Sequence, residues 1–211
     1  MPEAGIFSYP MHACAFYFIS ATNKEDFTMK ITFPDGSVRE FNEGVSAFDV
    51  AESIGSRLRK ATIACEIDGE RADAFAPIHS DCTLKLLAFA DEGGRWAYRH
   101  TASHMLAQAV KRLYPDVKLA IGPAIEEGFY YDIDFEGAVI APEDLPRIEA
   151  EMDKIVKADL PIVRSEMGRE EAIEFFKQHG DNYKVEILSE LDVPTVSLYT
   201  FGRARYRFAC W

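Results

Sequence analysis

Two histidines, His100 and His104, are the residues whose type and spacing best suit chemistry. They lie four residues apart in a run, 96–113, whose apolar residues recur at helical spacing, so both imidazoles should project from one helix face. A neutral imidazole, with an unperturbed pKa of about 6.5, can accept a proton or orient a water. The spacing fits hydrogen-bonded histidines at a packing surface equally well. Because two ligands rarely suffice for zinc, we expect no metal site.

The composition limits the classes of function. The chain has 211 residues, 48% hydrophobic content and a formal net charge of −12, so any RNA contact should be local rather than broad. Its four cysteines are scattered without Cys-x-x-Cys spacing, which favours a reducing cytoplasm. The apolar patch 13–19 is too short to span a bilayer and has no basic flank, so we expect neither export nor a membrane anchor.

The elements before the histidines follow a recognisable order. Residues 1–28 have no clear period, and we treat them as an N-terminal extension of undefined status. Alternation, turn residues and alternation over 29–41 predict a β-hairpin. A capping signal at Ser46 begins a helix that extends to about residue 58. Strands over 62–67 and 83–89 complete a β-grasp order.

The polar, glycine-containing segment 91–94 predicts a break and a domain boundary. The elements expected after the histidine helix are strands 117–123 and 128–134, a helix after Pro142, an edge strand 161–167, helices 168–179 and 181–188, and strand 196–200. In the helix after Pro142 we expect an outer face of solvated glutamates and an inward apolar set of Leu145, Ile148, Met152, Ile155 and Val156. The predicted fold class is therefore α+β.

Five motifs carry a resemblance to a known family. They are Phe33-Pro34-Asp35-Gly36-Ser37, Arg99-His100-Thr101-Ala102-Ser103-His104-Met105-Leu106, Ala120-Ile121-Gly122-Pro123, Gly128-Phe129-Tyr130-Tyr131-Asp132 and Tyr183-Lys184-Val185-Glu186-Ile187-Leu188. In this order they resemble the N-terminal half of threonyl-tRNA synthetase. The resemblance implies a β-grasp TGS domain over 29–90 and the first part of the editing domain over 91–200.

That resemblance implies a function and a set of site residues. The family's editing domain hydrolyses serine wrongly esterified to tRNA(Thr), because losing one methyl group costs only about 1–3 kcal/mol of binding. By resemblance, His100, His104 and Lys184 are the catalytic residues, and the lysine ammonium would stabilise an oxyanion or orient a ribose oxygen. Gly122 and Tyr131 would line the substrate pocket, although core packing explains Tyr131 equally well.

The C-terminal segment departs from the family pattern. The family completes its editing site with an Asp-x-Cys-Arg-Gly-Pro-His motif shortly after the equivalent of Thr200, and this motif is absent here. The tail 201–211 is instead basic and aromatic. We expect out-of-frame translation or an imprecise gene end there, in preference to a strand with an RNA-facing side. Met1, Met11 and Met29 each remain a possible start.

These departures set the remaining expectations. The family's aminoacylation core, which uses ATP, magnesium and zinc, lies beyond this C-terminus, so we expect no cofactor in this chain and no oligomer without that core. The expected partner is the acceptor end of tRNA(Thr), and the expected location is the cytoplasm. Two alternatives stay open: a non-catalytic tRNA- or protein-binding module, and a pseudogene product whose editing half is molten.

Overall fold

A computed structural model describes residues 28–137, 139–201 and 207–210, the last four by their backbone alone. Residues 1–27 of the predicted extension and the side chains of the tail from 202 onward lie outside the described residues. Within the part described, no helix is both long enough and apolar enough to cross a membrane.

The first part of the chain is a small mixed sheet packed against helices. Its elements are β1 (Thr28–Thr32), β2 (Val38–Asn42), α1 (Ala47–Ile54), α2 (Ser56–Ala61), β3 (Ala64–Ile67), β4 (Glu70–Ala72) and β5 (Cys82–Leu87). The strand order is β2-β1-β5-β3-β4, with β1 and β5 parallel and the other pairs antiparallel. This confirms the predicted β-grasp. Alternate strand residues such as Ile31, Cys65 and Leu84 are buried beneath Val50 of α1.

Local signals account for the start and end of α1. The Ser46 hydroxyl accepts the Asp49 N–H at 3.2 Å, and the Asp49 carboxylate accepts the Ser46 N–H at 2.8 Å. This reciprocal capping box satisfies donors that a helix N-terminus leaves unpaired. The predicted helix to about residue 58 is divided, however, because Gly55 is extended and separates α1 from α2.

The second part of the chain begins with the histidine helix. Its elements are α3 (Glu92–Leu113), β6 (Lys118–Leu119), β7 (Ala124–Ile125), β8 (Gly128–Phe129), β9 (Ile133–Asp134), α4 (Leu145–Lys157), β10 (Ile162–Gly168), α5 (Arg169–Gln178), α6 (Asn182–Glu190), β11 (Thr195–Phe201) and β12 (Arg207–Cys210). Sheet and helices together confirm the α+β class. A single 3₁₀ turn, Pro142–Asp144, precedes α4.

The predicted break at 91–94 is wrong, because Glu92 to Gly94 form the first turn of α3. The Asp91 carboxylate accepts the Ala88 N–H at 2.8 Å, which ties the start of α3 to the end of the β-grasp sheet. A Cβ at Gly94 would lie 2.0 Å from the Ala88 carbonyl oxygen. The glycine therefore permits close approach of helix and sheet rather than marking a flexible linker.

The predicted strands 117–123 and 128–134 are shorter than expected. They form two two-residue ladders, β6 with β9 and β7 with β8, around a turn at Glu126 and Glu127. Pro123 has no N–H to donate, so a regular ladder stops near it. Backbone bonds such as Ala120 N–H to the Asp132 carbonyl at 3.0 Å keep the segment one irregular hairpin.

The buried face of α4 is displaced from the predicted one. Ile148 and Ile155 are buried as expected, whereas Leu145 is 53% exposed and Val156 is 58% exposed. At roughly 100° per residue, these two lie together at one border of the buried stripe. Glu151 takes the opposite border and is buried, so the expectation of a fully solvated glutamate face is also wrong.

The last sheet has the order β10-β11-β12 and places β10 at its edge, as the Pro161 signal predicted. In the backbone, β12 pairs antiparallel with β11. Helices α5 and α6 pack on β11 through buried residues including Phe176, Leu188 and Leu198. Gly180, with φ of 72°, follows the end of α5 as the cap position predicted.

Candidate active site

His100 and His104 lie on successive turns of α3 and contact each other. Their Nε2 atoms are 3.1 Å apart, and the ring planes are inclined by 75° with centroids 4.5 Å apart. His104 is 6% exposed and His100 is half-buried. Since α3 is helical throughout, the spacing of four residues brings the rings together as the sequence predicted.

The contact between the two Nε2 atoms constrains their protons. If both imidazoles are neutral, one Nε2 carries the hydrogen and donates, and the other accepts through its lone pair. Burial lowers the pKa of His100. Burial, then His100, then Lys184 lower the pKa of His104 to about 3. The pair is therefore neutral near pH 7.

Lys184 reaches the same site from α6. Its side chain is buried, with 4% exposed, and its charge contributes to lowering the pKa of His104. The Nζ atom also lies 5.8 Å from the centroid of the Phe176 ring. The neighbouring Tyr183 hydroxyl donates to the Asp134 carboxylate at 2.8 Å, which ties α6 to β9. The structure thus brings the three predicted catalytic residues together from two separate helices.

Gly122 lies beside the histidine pair through Ser103. The buried Ser103 hydroxyl is 2.8 Å from both the Gly122 and the His100 carbonyl oxygens. A Cβ on Gly122 would lie 2.2 Å from the Tyr131 ring, so only glycine fits this position without movement. Tyr131 is half-buried and packs against the core cluster that includes Val110 and Leu119. Both predicted pocket residues therefore adjoin α3, and Tyr131 also packs in the core.

Arg99, which precedes the first histidine, holds the hairpin near the site. Its guanidinium donates to the Ile125 carbonyl at 3.1 Å and to the Glu126 carbonyl. These are the residues at the β7–β8 turn. Arg99 thereby connects the hairpin that contains Gly122 and Tyr131 to the histidine helix.

Sequence reasoning missed three aromatic and polar neighbours of the pair. Trp96 stacks on His100 with ring centroids 5.0 Å apart, and Phe201 lies 6.3 Å from His104. Ser103 makes the contact to Gly122 described above. Trp96 precedes His100 by four residues, so the same helical spacing that revealed the histidine pair could have found it.

The described residues contain no group of three or more His, Cys, Asp or Glu side chains that could hold a metal ion. The groups that the structure brings together at the site are two neutral imidazoles, the buried Lys184 side chain and nearby backbone carbonyls. Such a set can accept a proton and stabilise a developing negative charge.

Comparisons with known proteins point to one family. The family model for the TGS domain matches residues 29–88. Over 175 residues the chain is 55% identical to the threonine–tRNA ligase of Acetivibrio thermocellus, covering 82% of this chain and 27% of that relative. It is 50% identical over 173 residues to the enzyme of Symbiobacterium thermophilum, covering 82% and 26%. This chain matches the TGS-containing N-terminal region of threonine–tRNA ligases.

The same extent of match recurs in the threonine–tRNA ligase of Clostridium botulinum, at 50% identity over 175 residues. The predicted resemblance to threonyl-tRNA synthetase is thereby confirmed. The chain spans 27% of the length of the Acetivibrio ligase. The histidine helix and α6 belong to the part of the chain that follows the TGS match of residues 29–88.

Proposed function

We propose that His100, His104 and Lys184 are part of an editing site that hydrolyses serine from mischarged tRNA(Thr), at a rate impaired by the absence of the Asp-x-Cys-Arg-Gly-Pro-His motif. The observation that carries the proposal is the 3.1 Å contact between the buried His104 and the half-buried His100, both with lowered pKa values. The proposed substrate class rests on the resemblance to threonyl-tRNA synthetases, because a site that selects threonine discriminates weakly against serine, which lacks one methyl group. The proposed partner is the acceptor end of tRNA(Thr), which places the reaction in the cytoplasm.

The hydrolytic step needs a proton acceptor beside a water molecule. The water oxygen forms a bond to the ester carbonyl carbon while one water proton passes to the imidazole pair. The bond from that carbon to the ribose oxygen then breaks, and the pair returns the proton to the leaving oxygen. The products are serine and tRNA with its terminal hydroxyl restored. The lowered pKa of His104 keeps its ring neutral at the start of this cycle.

The other residues of the site have supporting roles in the proposal. The Lys184 ammonium stabilises the negative charge on the carbonyl oxygen of the tetrahedral intermediate, because a buried cation acts in a low dielectric. The Gly122 carbonyl lies 2.8 Å from the Ser103 hydroxyl beside the pair, and the Tyr131 ring packs against the Gly122 backbone. These two residues shape the pocket and take no part in proton transfer.

A single-turnover deacylation assay tests the proposal. The chain is mixed in excess with tRNA(Thr) carrying labelled serine, and the release of serine is followed at pH 7.5. Replacing a general base lowers such rates by about 10²–10⁴-fold, so His104→Gln and His100→Gln should each show a loss in this range. His79→Gln is the matched control, because His79 is exposed and pairs with Glu43 in the β-grasp part.

Two results would contradict the proposal. Deacylation that is equally fast in the wild type and in His104→Gln would exclude a role for the pair. Binding of tRNA(Thr) without release of serine above the spontaneous rate would favour the alternative, a non-catalytic tRNA-binding module. Threonyl-tRNA(Thr) is the control substrate and should be released much more slowly than the seryl ester.

A further inference from the structure

A column of stacked side chains links the β-grasp sheet to the histidine pair. The Trp96 indole lies on the His100 ring with centroids 5.0 Å apart and planes inclined by only 12°. The Arg71 guanidinium, from β4, lies 4.7 Å from the centroid of the Trp96 ring. His100 in turn contacts His104. The column therefore includes one residue of the TGS domain and three residues of α3.

Contacts with the end of the β-grasp sheet fix the start of α3, from which Trp96 projects. The Asp91 carboxylate accepts the Ala88 N–H at 2.8 Å, and the buried Gly94 permits contact between α3 and the Ala88 backbone. The Arg95 guanidinium donates to the Phe89 carbonyl at 3.4 Å. Trp96 follows within the first two turns of α3, so its position relative to β4 is set by backbone contacts.

Stacking on Trp96 restricts the orientation of the His100 ring. An imidazole against a nearly parallel indole can slide or rotate in its own plane, but it cannot tilt without losing that contact. The Nε2 atom of His100 must point at His104 for the 3.1 Å contact to form. Removing the indole would allow the ring to tilt and would admit water to one of its faces. The stack thus selects the ring orientation that the pair requires.

Trp96 is 42% exposed, although tryptophan carries one of the largest apolar surfaces of any side chain. A role in the core does not explain this position, since the described core clusters do not include it. Its two described ring contacts are His100 and Arg71. Both contacts point to alignment of His100 rather than to general stability.

We propose that Trp96 is a positioning residue. It lies between Arg71 of the TGS domain and His100, and it keeps the His100 imidazole oriented toward His104. Its effect on hydrolysis rests on the proposed function, whereas its effect on the histidine ring does not. The TGS domain thereby contributes to the geometry of the site without touching the substrate. Movement of β4 relative to α3 would alter the contact between the two histidines.

The first measurement is the NMR titration of the His100 ring in the full chain, assigned by loss of its signal in His100→Gln. The titratable and charged groups that face this ring are the neutral His104 on α3, Lys184 through His104, and Arg71 beyond the indole. Trp96→Ala should raise the pKa of His100 toward 6.5, because burial is what lowers it.

Two further variants serve as comparisons in this titration. Trp96→Phe keeps a flat ring and should retain most of the wild-type behaviour. Tyr98→Leu is the control, since the Tyr98 ring packs edge-to-face with Phe89 instead.

The second measurement is single-turnover release of serine in the same variants. A misplaced reactive group commonly costs up to about 10²-fold in rate, so Trp96→Ala should lower the rate at least about tenfold while the affinity for tRNA changes little. Arg71→Gln, an exposed substitution that does not threaten the fold, should change both readouts in the same direction but by less.

The outcomes separate this proposal from the proposed function. An unchanged His100 titration in Trp96→Ala, or in Arg71→Gln if the alanine variant does not fold, would overturn the positioning role. A shifted titration in a chain that releases no serine would support the positioning role and contradict the editing proposal. A shifted titration with slowed release, rescued by Trp96→Phe, supports both.

Discussion

The Nε2 atoms of His100 and His104 lie 3.1 Å apart, a distance at which two neutral imidazoles must share one hydrogen between them. A hydrogen on both Nε2 atoms would place two donors in that gap and leave no lone pair there to accept. The second proton is therefore strongly disfavoured. Burial first, and then the charges of His100 and Lys184 on His104, explain why the pair remains neutral at a pH where an exposed histidine begins to charge.

The first prediction concerns the pH dependence of stability. In the unfolded chain His104 binds a proton below about pH 6.5, whereas in the fold its pKa is lowered to about 3. Between these values the unfolded state holds more protons, so stability falls as pH falls. Relative to His104→Gln, the free energy of unfolding of the wild type should decrease by at most about 1.4 kcal/mol per pH unit between about pH 6 and pH 4.

Urea unfolding at half-unit pH intervals measures this difference. The exposed His79 supplies the control variant, His79→Gln, whose stability should track the wild type in this range. A wild type and a His104→Gln variant with parallel pH profiles would show that His104 is not held neutral by the fold.

The second prediction concerns the lysine beside the pair. Lys184→Met replaces a buried cation with an apolar chain of similar length, so the pKa of His104 should rise from its low value because one of its causes is removed. Proton NMR of the His104 ring measures the change. Serine release should slow by about 10²-fold or more if the ammonium stabilises the oxyanion.

Lys177→Met on the exposed face of α5 is the matched control for this change. It should alter neither the ring titration nor the rate. If Lys184→Met leaves the titration of His104 where it is, the ammonium does not act on the pair.

The third prediction concerns the contact between Gly122 and Tyr131. A Cβ at Gly122 would lie 2.2 Å from the Tyr131 ring, so Gly122→Ala should destabilise the fold by about 1–3 kcal/mol through overpacking. Gly128→Ala is the control, because open space surrounds that position and its cost should be within about 0.5 kcal/mol.

A double-mutant cycle with Tyr131→Ala locates the cause of that loss. The penalty of Gly122→Ala should shrink when the ring is absent, which gives a coupling energy of about 1 kcal/mol or more. If the two effects are additive, contacts other than the one with the Tyr131 ring cause the loss of stability in Gly122→Ala.

Several features of the fold could be predicted because they depend on neighbours in the sequence. The hairpin at 29–41 follows from its turn residues and alternation, and the Ser46–Asp49 capping box follows from a spacing of three residues. The contact between His100 and His104 is of the same kind, since helical spacing alone brings the rings together. Lys184 was found only through the family resemblance, because no local pattern relates α6 to α3.

Other features depend on contacts between distant segments. Arg71 precedes Trp96 by 25 residues and meets it only because α3 starts against the β-grasp sheet. The segment at Glu92 to Gly94 has the composition of a loop, yet the Asp91 contact to Ala88 makes it the first helical turn. Similarly, Leu145 and Val156 fit an apolar stripe by spacing, but the partners of α4 select the face that includes Glu151.

The last prediction concerns that buried glutamate. Glu151 accepts from Arg112 at 3.1 Å and from Lys154 at 2.9 Å, and these hydrogen bonds, Lys154 first, lower the pKa of its carboxyl. Glu151→Gln should cost about 1–3 kcal/mol at pH 7, because the Arg112 guanidinium loses a charged partner between α3 and α4. Since a lowered carboxyl pKa stabilises the fold only while the group is ionised, this difference should be largest at neutral pH and shrink as pH falls through the lowered pKa of Glu151. Urea unfolding at pH 7 and pH 3.5 measures this cost. The control is Glu149→Gln, because Glu149 is an exposed neighbour on α4 and its replacement should leave the free energy of unfolding unchanged at both pH values. An equal cost at the two pH values would show that shape, and not the ion pair, joins the two helices at this point.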